Sequence, residues 1–356
     1  VVLPMGQPRA LTSVPPHFTS SLNFRNITKS CELLTDPSAT PDALRRAFSL
    51  ARNGRPGPTL VEIPTDVMDA EISDDLNYRP VAVYRSAPDP GDVQKAAETL
   101  LEAERPVIHA GQGVHYAEAW DSLRTLAETL EAPVVTTLNG KSAFPETHSL
   151  ALGSAGAAIP GTVHEFVQNA DVIFGIGCSF AKTHFGIQIP EGKTIIHSTL
   201  DSADINRNAI VDQALVGDAG LTLEALNAEI SERLGGRPRG RADKVANEIR
   251  TIKQAWQAQW MPKLTSQETP LTPYRVIWDL MHTVDVANSI VTHDAGSPRD
   301  QTSPFWESTT PLSYIGWGKS TQLGYGLGLA MGAKLTRPEK LCVNIWGDAA
   351  IGFTGM

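Results

Sequence analysis

Four short apolar runs recur between residues 106 and 197, and they restrict the fold more than anything else in the chain. They are Pro106-Val107-Ile108-His109-Ala110, Pro133-Val134-Val135-Thr136-Thr137, Asp171-Val172-Ile173-Phe174-Gly175-Ile176-Gly177 and Thr194-Ile195-Ile196-His197. Each is too short for a helix and apolar almost without interruption, so a strand formed there must be covered on both faces. The stretches between them carry helical spacing. Such a pattern specifies a parallel sheet with helices packed on either side. The predicted fold class is therefore α/β, with a doubly wound parallel-sheet domain over about 92–232 whose first helix is expected from Asp92 to Glu104.

The flanks carry further pieces of the same kind. Residues 41–51 predict a helix with Leu44, Ala47, Phe48 and Ala51 on one face, and the breaker Asn53-Gly54-Arg55-Pro56-Gly57-Pro58 precedes a buried strand at Thr59-Leu60-Val61-Glu62-Ile63. Acids and prolines without periodicity over 68–91 predict a linker. Over 233–270 a linker and a helix are expected, and the basic cluster Arg233, Arg237, Arg239, Arg241 and Lys244 reads as solvated rather than phosphate-binding. From 271 a second parallel α/β unit follows. Thr272-Pro273 opens a helix with Val276, Ile277, Leu280, Met281 and Val284 on one stripe. The strand Ser289-Ile290-Val291-Thr292 comes next, then a Gly-rich helix over about 322–335, then the run Leu341-Cys342-Val343-Asn344-Ile345-Trp346. The expected organisation is a partial domain over 1–67, a linker over 68–91, the central domain over 92–232, a linker and helix over 233–270, and a partial domain over 271–356.

Composition narrows the function classes. A chain of 356 residues suits two or three cores, and 41% hydrophobic with 19% charged residues belongs to a folded, water-soluble protein. A net charge of −9 without a basic stripe argues against a nucleic-acid surface. No apolar stretch approaches the ~20 residues that span a bilayer. Cys31, Cys178 and Cys342 form no CxxC pair, which excludes a metal cluster or disulfide framework and makes a reducing cytoplasm the expected compartment. Cys178 and Cys342 are expected to be buried.

Two strand ends in the last segment lead into loops that a parallel sheet would place side by side. One is Asp294-Ala295-Gly296-Ser297, the other Gly347-Asp348-Ala349-Ala350. A strand ending in Gly-Asp before a helix can hold a hard cation on the carboxylate and an anion on the free N–H groups. Between them lies Lys319-Ser320-Thr321-Gln322-Leu323-Gly324-Tyr325-Gly326-Leu327-Gly328. Its glycines either admit a bulky ligand or, at Gly324, Gly328 and Gly332, permit close helix packing. No GxSxG elbow exists to support a hydrolase. His109, His115, His164, His184, His197 and His293 show no metal-ligand spacing, with His293 notable for directly preceding the first loop.

On these motifs the chain resembles the thiamine diphosphate enzymes of the acetolactate synthase type. Gly54 to Val67 is similar to the end of that family's pyrimidine-binding domain. Arg105-Pro106-Val107-Ile108 with Gly111-Gln112-Gly113, and Ile195 to Asp201, resemble its central domain. Leu323 to Lys334 with Gly347-Asp348 resembles its diphosphate-binding domain. The resemblance implies that Asp348 binds a Mg²⁺ bridging the cofactor's diphosphate, and that Gly347, Ala349 and Ala350 form the turn whose N–H groups meet the phosphate oxygens. It implies that Gly296 and Ser297 close over the diphosphate, that Leu323 wedges the bent cofactor, and that the carbonyl near Thr321 accepts from the pyrimidine. The implied activity is decarboxylation or carboligation of a 2-oxo acid. Alternatives on the same scaffold are another 2-oxo acid or acyl-CoA decarboxylase, or a non-catalytic paralogue serving as a binding or assembly module. A homodimer or homotetramer is implied, since the family sets each cofactor between two subunits.

Three departures accompany the resemblance. Ala349 stands where the family has Gly, and no counterpart of its substrate-pocket loop appears around Phe18. Acetolactate synthases carry FAD across the central domain, whereas Gly153 to Pro160 departs from their flavin loop and Cys178-Ser179-Phe180-Ala181-Lys182 replaces an arginine-rich continuation. Gly111-Gln112-Gly113 and Gly175-Ile176-Gly177 do not complete GxGxxG. A domain that spaces its neighbours is expected there rather than one that holds FAD. The opening Val1-Val2-Leu3-Pro4 reads as strand interior, so an excised segment is expected. The activating glutamate would then lie upstream of Val1 and the Asn completing the metal site beyond Met356, which predicts a segment inactive by itself.

Overall fold

A computed structural model describes residues 1–11, 18–184, 186–317 and 322–354, which divide into two compact units, Val1–Ser86 and Ala87–Met356. In the first unit, strands β1 (Met5–Gly6), β2 (Ser30–Leu33) and β3 (Thr59–Pro64) form a parallel sheet in the order β1-β3-β2. The short helix α1 (Ser20–Asn23) precedes β2, and α3 (Thr65–Met68) follows β3. Helix α2 (Thr40–Arg52) packs through Ala43 and Ala47 against Leu34, Val61 and Val67, while Phe48 stays 36% exposed. The predicted face is thus rotated: two alanines one turn apart let the helix approach the sheet closely, and Phe48 lies to one side of that contact.

The second unit opens with α4 (Pro90–Glu102), capped by Asp89, whose Oδ1 accepts the N–H groups of Gly91 at 2.8 Å and Asp92 at 3.3 Å. The helix expected from Asp92 to Glu104 is thus corrected to an earlier start and an end at Glu102. Pro90 at the first helical position has no N–H to satisfy, so the helix starts earlier than the charge pattern suggests. There follow β4 (Val107–Ala110), α5 (Gln112–Tyr116), α6 (Trp120–Leu130), β5 (Val134–Thr137), β6 (Ala151–Ala155), α7 (Gly161–Asn169), β7 (Val172–Ile176), β8 (Thr194–Thr199), β9 (Gln213–Val216) and α8 (Ala219–Arg233). The six strands are parallel in the order β6-β5-β4-β7-β8-β9.

Alternation along each strand feeds two cores. Ile108, Phe174 and Ile196 join Leu100, Leu126 and Leu226 on one side; Val107, Ile173 and Ile195 join Val163 and Phe166 on the other. Both faces are closed, as the uninterrupted apolar runs require. The chain turns outward in both directions from β4, so the carboxyl ends of β4 and β7 flank a topological switch point.

The basic cluster is not simply solvated. Arg239 donates to the carbonyls of Leu100, Leu101 and Ala103, and Arg241 to those of Ala103 and Glu104. These are the orphan acceptors at the end of α4, and a guanidinium satisfies several at once. Helix α9 (Ala242–Leu264) then leads to α10 (Pro273–Thr283), whose N-cap Thr272 accepts the Arg275 N–H through Oγ1.

A second parallel sheet contains β10 (Ser289–His293), β11 (Tyr314–Ile315) and β12 (Leu341–Ile345) in the order β11-β10-β12. Its helices are α11 (Ser297–Thr302), α12 (Tyr325–Thr336) and α13 (Asp348–Thr354). Cys178 is buried as expected, whereas Cys342 is half-buried, because β12 is an edge strand. Among the described residues no helix is long and apolar enough to cross a membrane.

Candidate functional site

Strands β10 and β12 pair directly, with His293 opposite Ile345, so the loops that follow them leave the sheet side by side. The Asp294 N–H continues the ladder by donating to the Ile345 carbonyl at 2.8 Å. The first loop carries Gly296 with φ 76°, a backbone state that side chains rarely adopt, and nothing lies within 4 Å of where a Cβ would project. Ser297 and Pro298 then begin α11. In the second loop the space beside Gly347 is likewise open, and Asp348 opens α13. The Asp348 carboxylate is exposed, and its Oδ1 accepts the Ala349 N–H at 2.8 Å. Ala350 is buried at 1% exposure and anchors the helix start to the sheet.

Ala349 is helical and free of positive φ, so alanine in place of the family's glycine carries no left-handed strain. Leu323 is half-buried and stands immediately before Gly324, the residue that starts α12 with φ 86°. The structure therefore brings Gly296, Ser297, Gly347, Asp348, Ala349 and Ala350 to one edge of one sheet. Thr321 lies outside the described residues. Among those residues no cluster of three or more His, Cys, Asp or Glu side chains is placed to hold a metal ion. A cation at Asp348 would have to complete its shell with ligand oxygens or other donors, the usual habit of Mg²⁺ bound beside phosphates.

Asp294 escaped the sequence reading as a site residue. It is fully buried, and its carboxylate accepts N–H groups from Ala295 at 2.8 Å, Gly324 at 3.0 Å and Gly326 at 3.2 Å. An acidic residue at a strand end thirty positions from a Gly-x-Gly helix start would have been the available signal. His293 is also fully buried; its Nδ1–H donates to the Asp294 carbonyl at 3.0 Å, and burial pushes its pKa down to about 4. Its ring stacks on Trp317, with centroids 6.1 Å apart.

A separate cavity of about 620 Å³ opens at the carboxyl ends of the six-stranded sheet, lined in part by His109, Thr137, Cys178, Phe180, Lys182 and Asp212. The glycine turns beneath it are occupied by each other. A Cβ on Gly111 would come within 2.3 Å of the Gly177 carbonyl oxygen, and one on Gly113 within 2.6 Å of the Gly177 Cα. Their N–H groups are used as well: Gly111 donates to Ile176, Gly113 to Gly177 and Gly177 to Ser198. These glycines serve close strand-turn packing and cannot cradle a pyrophosphate as a dinucleotide fingerprint does. The Phe180 ring lies over Gly175, 5.7 Å from the His109 ring and 4.8 Å from that of His197.

Comparison with known proteins assigns two domains of the larger unit. Residues 93–226 match the thiamine pyrophosphate enzyme central domain, and residues 294–356 match the thiamine pyrophosphate enzyme C-terminal TPP binding domain. The chain is 33% identical over 348 residues to a probable acetolactate synthase large subunit of Methanocaldococcus jannaschii, covering 91% of this chain and 56% of that protein. It is 30% identical over 338 residues to the acetolactate synthase isozyme 3 large subunit of Escherichia coli K12, covering 92% and 57%. With the glyoxylate carboligase of Escherichia coli O157:H7 the identity is 31% over 331 residues, covering 90% and 54%. The chain thus spans little more than half the length of these relatives. The first match spans the six-stranded sheet, the second starts directly after β10 and contains both strand-end loops, and on that ground the chain belongs to the thiamine pyrophosphate enzyme family.

Proposed function

We propose that this chain supplies the diphosphate-holding side of a thiamine diphosphate site in an enzyme that decarboxylates a 2-oxo acid and joins the product to a second carbonyl compound, in the manner of an acetolactate synthase. The observation that carries the proposal is the pairing of β10 with β12, which sets Gly296-Ser297 beside Gly347-Asp348-Ala349-Ala350. The residues fit the group. Open space beside Gly296 and Gly347 admits a bulky anion, and Asp348 presents an exposed carboxylate at a helix start.

Asp348 would hold Mg²⁺, while the N–H groups of Ala349 and Ala350 would face the diphosphate oxygens. Gly296 and Ser297 would bound the diphosphate from the neighbouring strand. Leu323 would fill the space under the cofactor's two rings, and the Thr321 carbonyl would orient the pyrimidine. When bound, thiamine diphosphate supplies a carbon nucleophile and an electron sink for loss of CO₂; the polypeptide binds, orients and excludes water.

FAD is not part of the proposal. The glycine-turn N–H groups are consumed internally and Phe180 covers Gly175, which favours a spacing role for the central domain. A flavin absorption band in the purified protein would contradict this. A paralogue without catalysis drew its sequence support from Ala349, and the helical backbone there removes that support. Assembly as a homodimer or homotetramer, with 2-oxo acids as the small-molecule partners, completes the proposal.

The test is calorimetric titration of the intact polypeptide with thiamine diphosphate and Mg²⁺, followed by product analysis with pyruvate alone and with pyruvate plus 2-oxobutyrate. Acetohydroxy acids in both reactions support the proposal. An aldehyde as sole product selects simple decarboxylation, and an absence of cofactor binding refutes the whole assignment.

A further inference from the structure

The carboxylate of Asp294 joins two segments that are thirty residues apart in the chain and that the proposed cofactor site needs at a fixed separation. Asp294 is buried completely. Its oxygens accept N–H groups from its own loop, through Ala295, and from the start of α12, through Gly324 and Gly326. The receiving backbone has little freedom to adapt. Gly324 holds φ 86° where a Cβ would come 2.7 Å from Thr354 Cγ2, and a Cβ on Gly326 would come 2.3 Å from Asn344 Oδ1. Leu323 is adjacent to Gly324, and Gly296-Ser297 stands two residues beyond Asp294. Hydrogen bonds from backbone N–H to an ionised carboxylate are about twice as strong as neutral ones, and they act here out of contact with water.

We infer that Asp294 is a positioning residue: it fixes the Leu323 side chain relative to the Gly296-Ser297 loop, and so sets the distance between the part of the site that supports the rings and the part that receives the diphosphate. The inference rests on the thiamine diphosphate reading of these loops. A carboxylate that only stabilised the fold would change melting behaviour when altered but not the state of a bound cofactor. Asp294→Asn keeps the shape and replaces one accepting oxygen by an NH₂ group, so the bridge opens at one end: Gly326 loses its acceptor if Oδ2 is replaced, Ala295 if Oδ1 is replaced.

In the intact polypeptide with Mg²⁺, D294N is expected to hold thiamine diphosphate within about fivefold of the wild-type affinity. It should lose at least about thirtyfold in kcat on a 2-oxo acid with KM little changed, and its near-ultraviolet circular dichroism band from the bound cofactor should collapse. In a Leu323→Ala background the same change should cause no further loss, since Asp294 acts through Leu323. If D294N does not fold, Asp294→Glu, which keeps the charge and lengthens the side chain, is held to the same readouts. A wild type that fails to bind the cofactor overturns the cofactor assignment and this inference with it. A wild type that binds, with a variant whose circular dichroism band and kcat are unchanged, overturns this inference alone. Additive losses in the double variant do so as well.

Discussion

The ammonium of Lys141 lies 2.5 Å from both carboxylate oxygens of Glu146, with the two side chains 1% and 7% exposed. The pair sits where the six-stranded sheet's connecting segment meets the segment before β11. Glu146 Oε2 also accepts the Ser308 N–H at 2.7 Å, and Lys141 Nζ stands 5.2 Å from the centre of the Tyr314 ring. Burial pushes the Glu146 carboxyl up and the Lys141 ammonium down, against their mutual attraction. Removing one partner strands the other charge in the interior, so Lys141→Met or Glu146→Leu alone should destabilise the protein by about 3–5 kcal/mol. The double replacement should recover most of that loss. Equilibrium urea unfolding of the four proteins measures the cycle, and single variants within about 1 kcal/mol of wild type would contradict a buried charged pair.

His109 gives a pH dependence of defined sign. Burial, with a smaller contribution from nearby His197, lowers its pKa from 6.5 to about 4. The folded protein therefore binds this proton less readily than the unfolded chain does. Stability from this group is complete above the unfolded value and is lost as pH falls from about 6.5 towards 4, at up to about 1.4 kcal/mol per pH unit. His109→Gln, which cannot titrate, should flatten the stability profile by roughly that slope over the same window. Parallel profiles for wild type and variant would show that the imidazole is not held neutral.

Two glycines, Gly111 and Gly328, differ sharply in what a side chain would meet. Gly111→Ala would drive a methyl group to 2.3 Å from the Gly177 carbonyl oxygen, a contact that only backbone movement relieves. It should cost several kcal/mol or abolish folding of the central sheet. Gly328 lies inside α12 with nothing within 4 Å of its Cβ position. In this chain Gly328→Ala should stabilise by about 0.5–1 kcal/mol through lost unfolded-state freedom. Thermal melts suffice, and equal effects at both positions would refute the distinction.

Asp348 is exposed, so Asp348→Asn should leave the melting temperature within about 2 °C of wild type. If it carries the metal, the same change should weaken Mg²⁺-dependent thiamine diphosphate binding by about 100-fold or more, beyond the loss usual for an outer-sphere partner. Unaltered affinity would mean that the side chain serves only its helix.

Much of the architecture follows from local sequence. The runs Val107–Ala110, Val134–Thr137 and Val172–Ile176 are strands, because a short segment apolar on both faces has no other soluble arrangement than the middle of a covered sheet. Capping is less legible. Asp89 and Asp92 both precede helical spacing, and only the backbone geometry around Pro90 decides between them. The arginines at 239 and 241 read as a solvated stretch because the carbonyls they bind belong to the last turn of α4 and the residues just after it, more than a hundred residues earlier.

What the sequence determined unaided was the parallel character of both sheets in the larger unit and the sequence order of the loops at their carboxyl ends. Period and apolarity are properties of neighbouring residues, so they survive in one dimension. Which groups meet was decided only by tertiary structure. Asp294 found the N–H groups of Gly324 and Gly326, Lys141 found Glu146 away from water, and the paired glycine turns met each other instead of a phosphate. Such meetings depend on how strands order within a sheet and on which polar groups are left to be satisfied after the cores close. No local pattern encodes either.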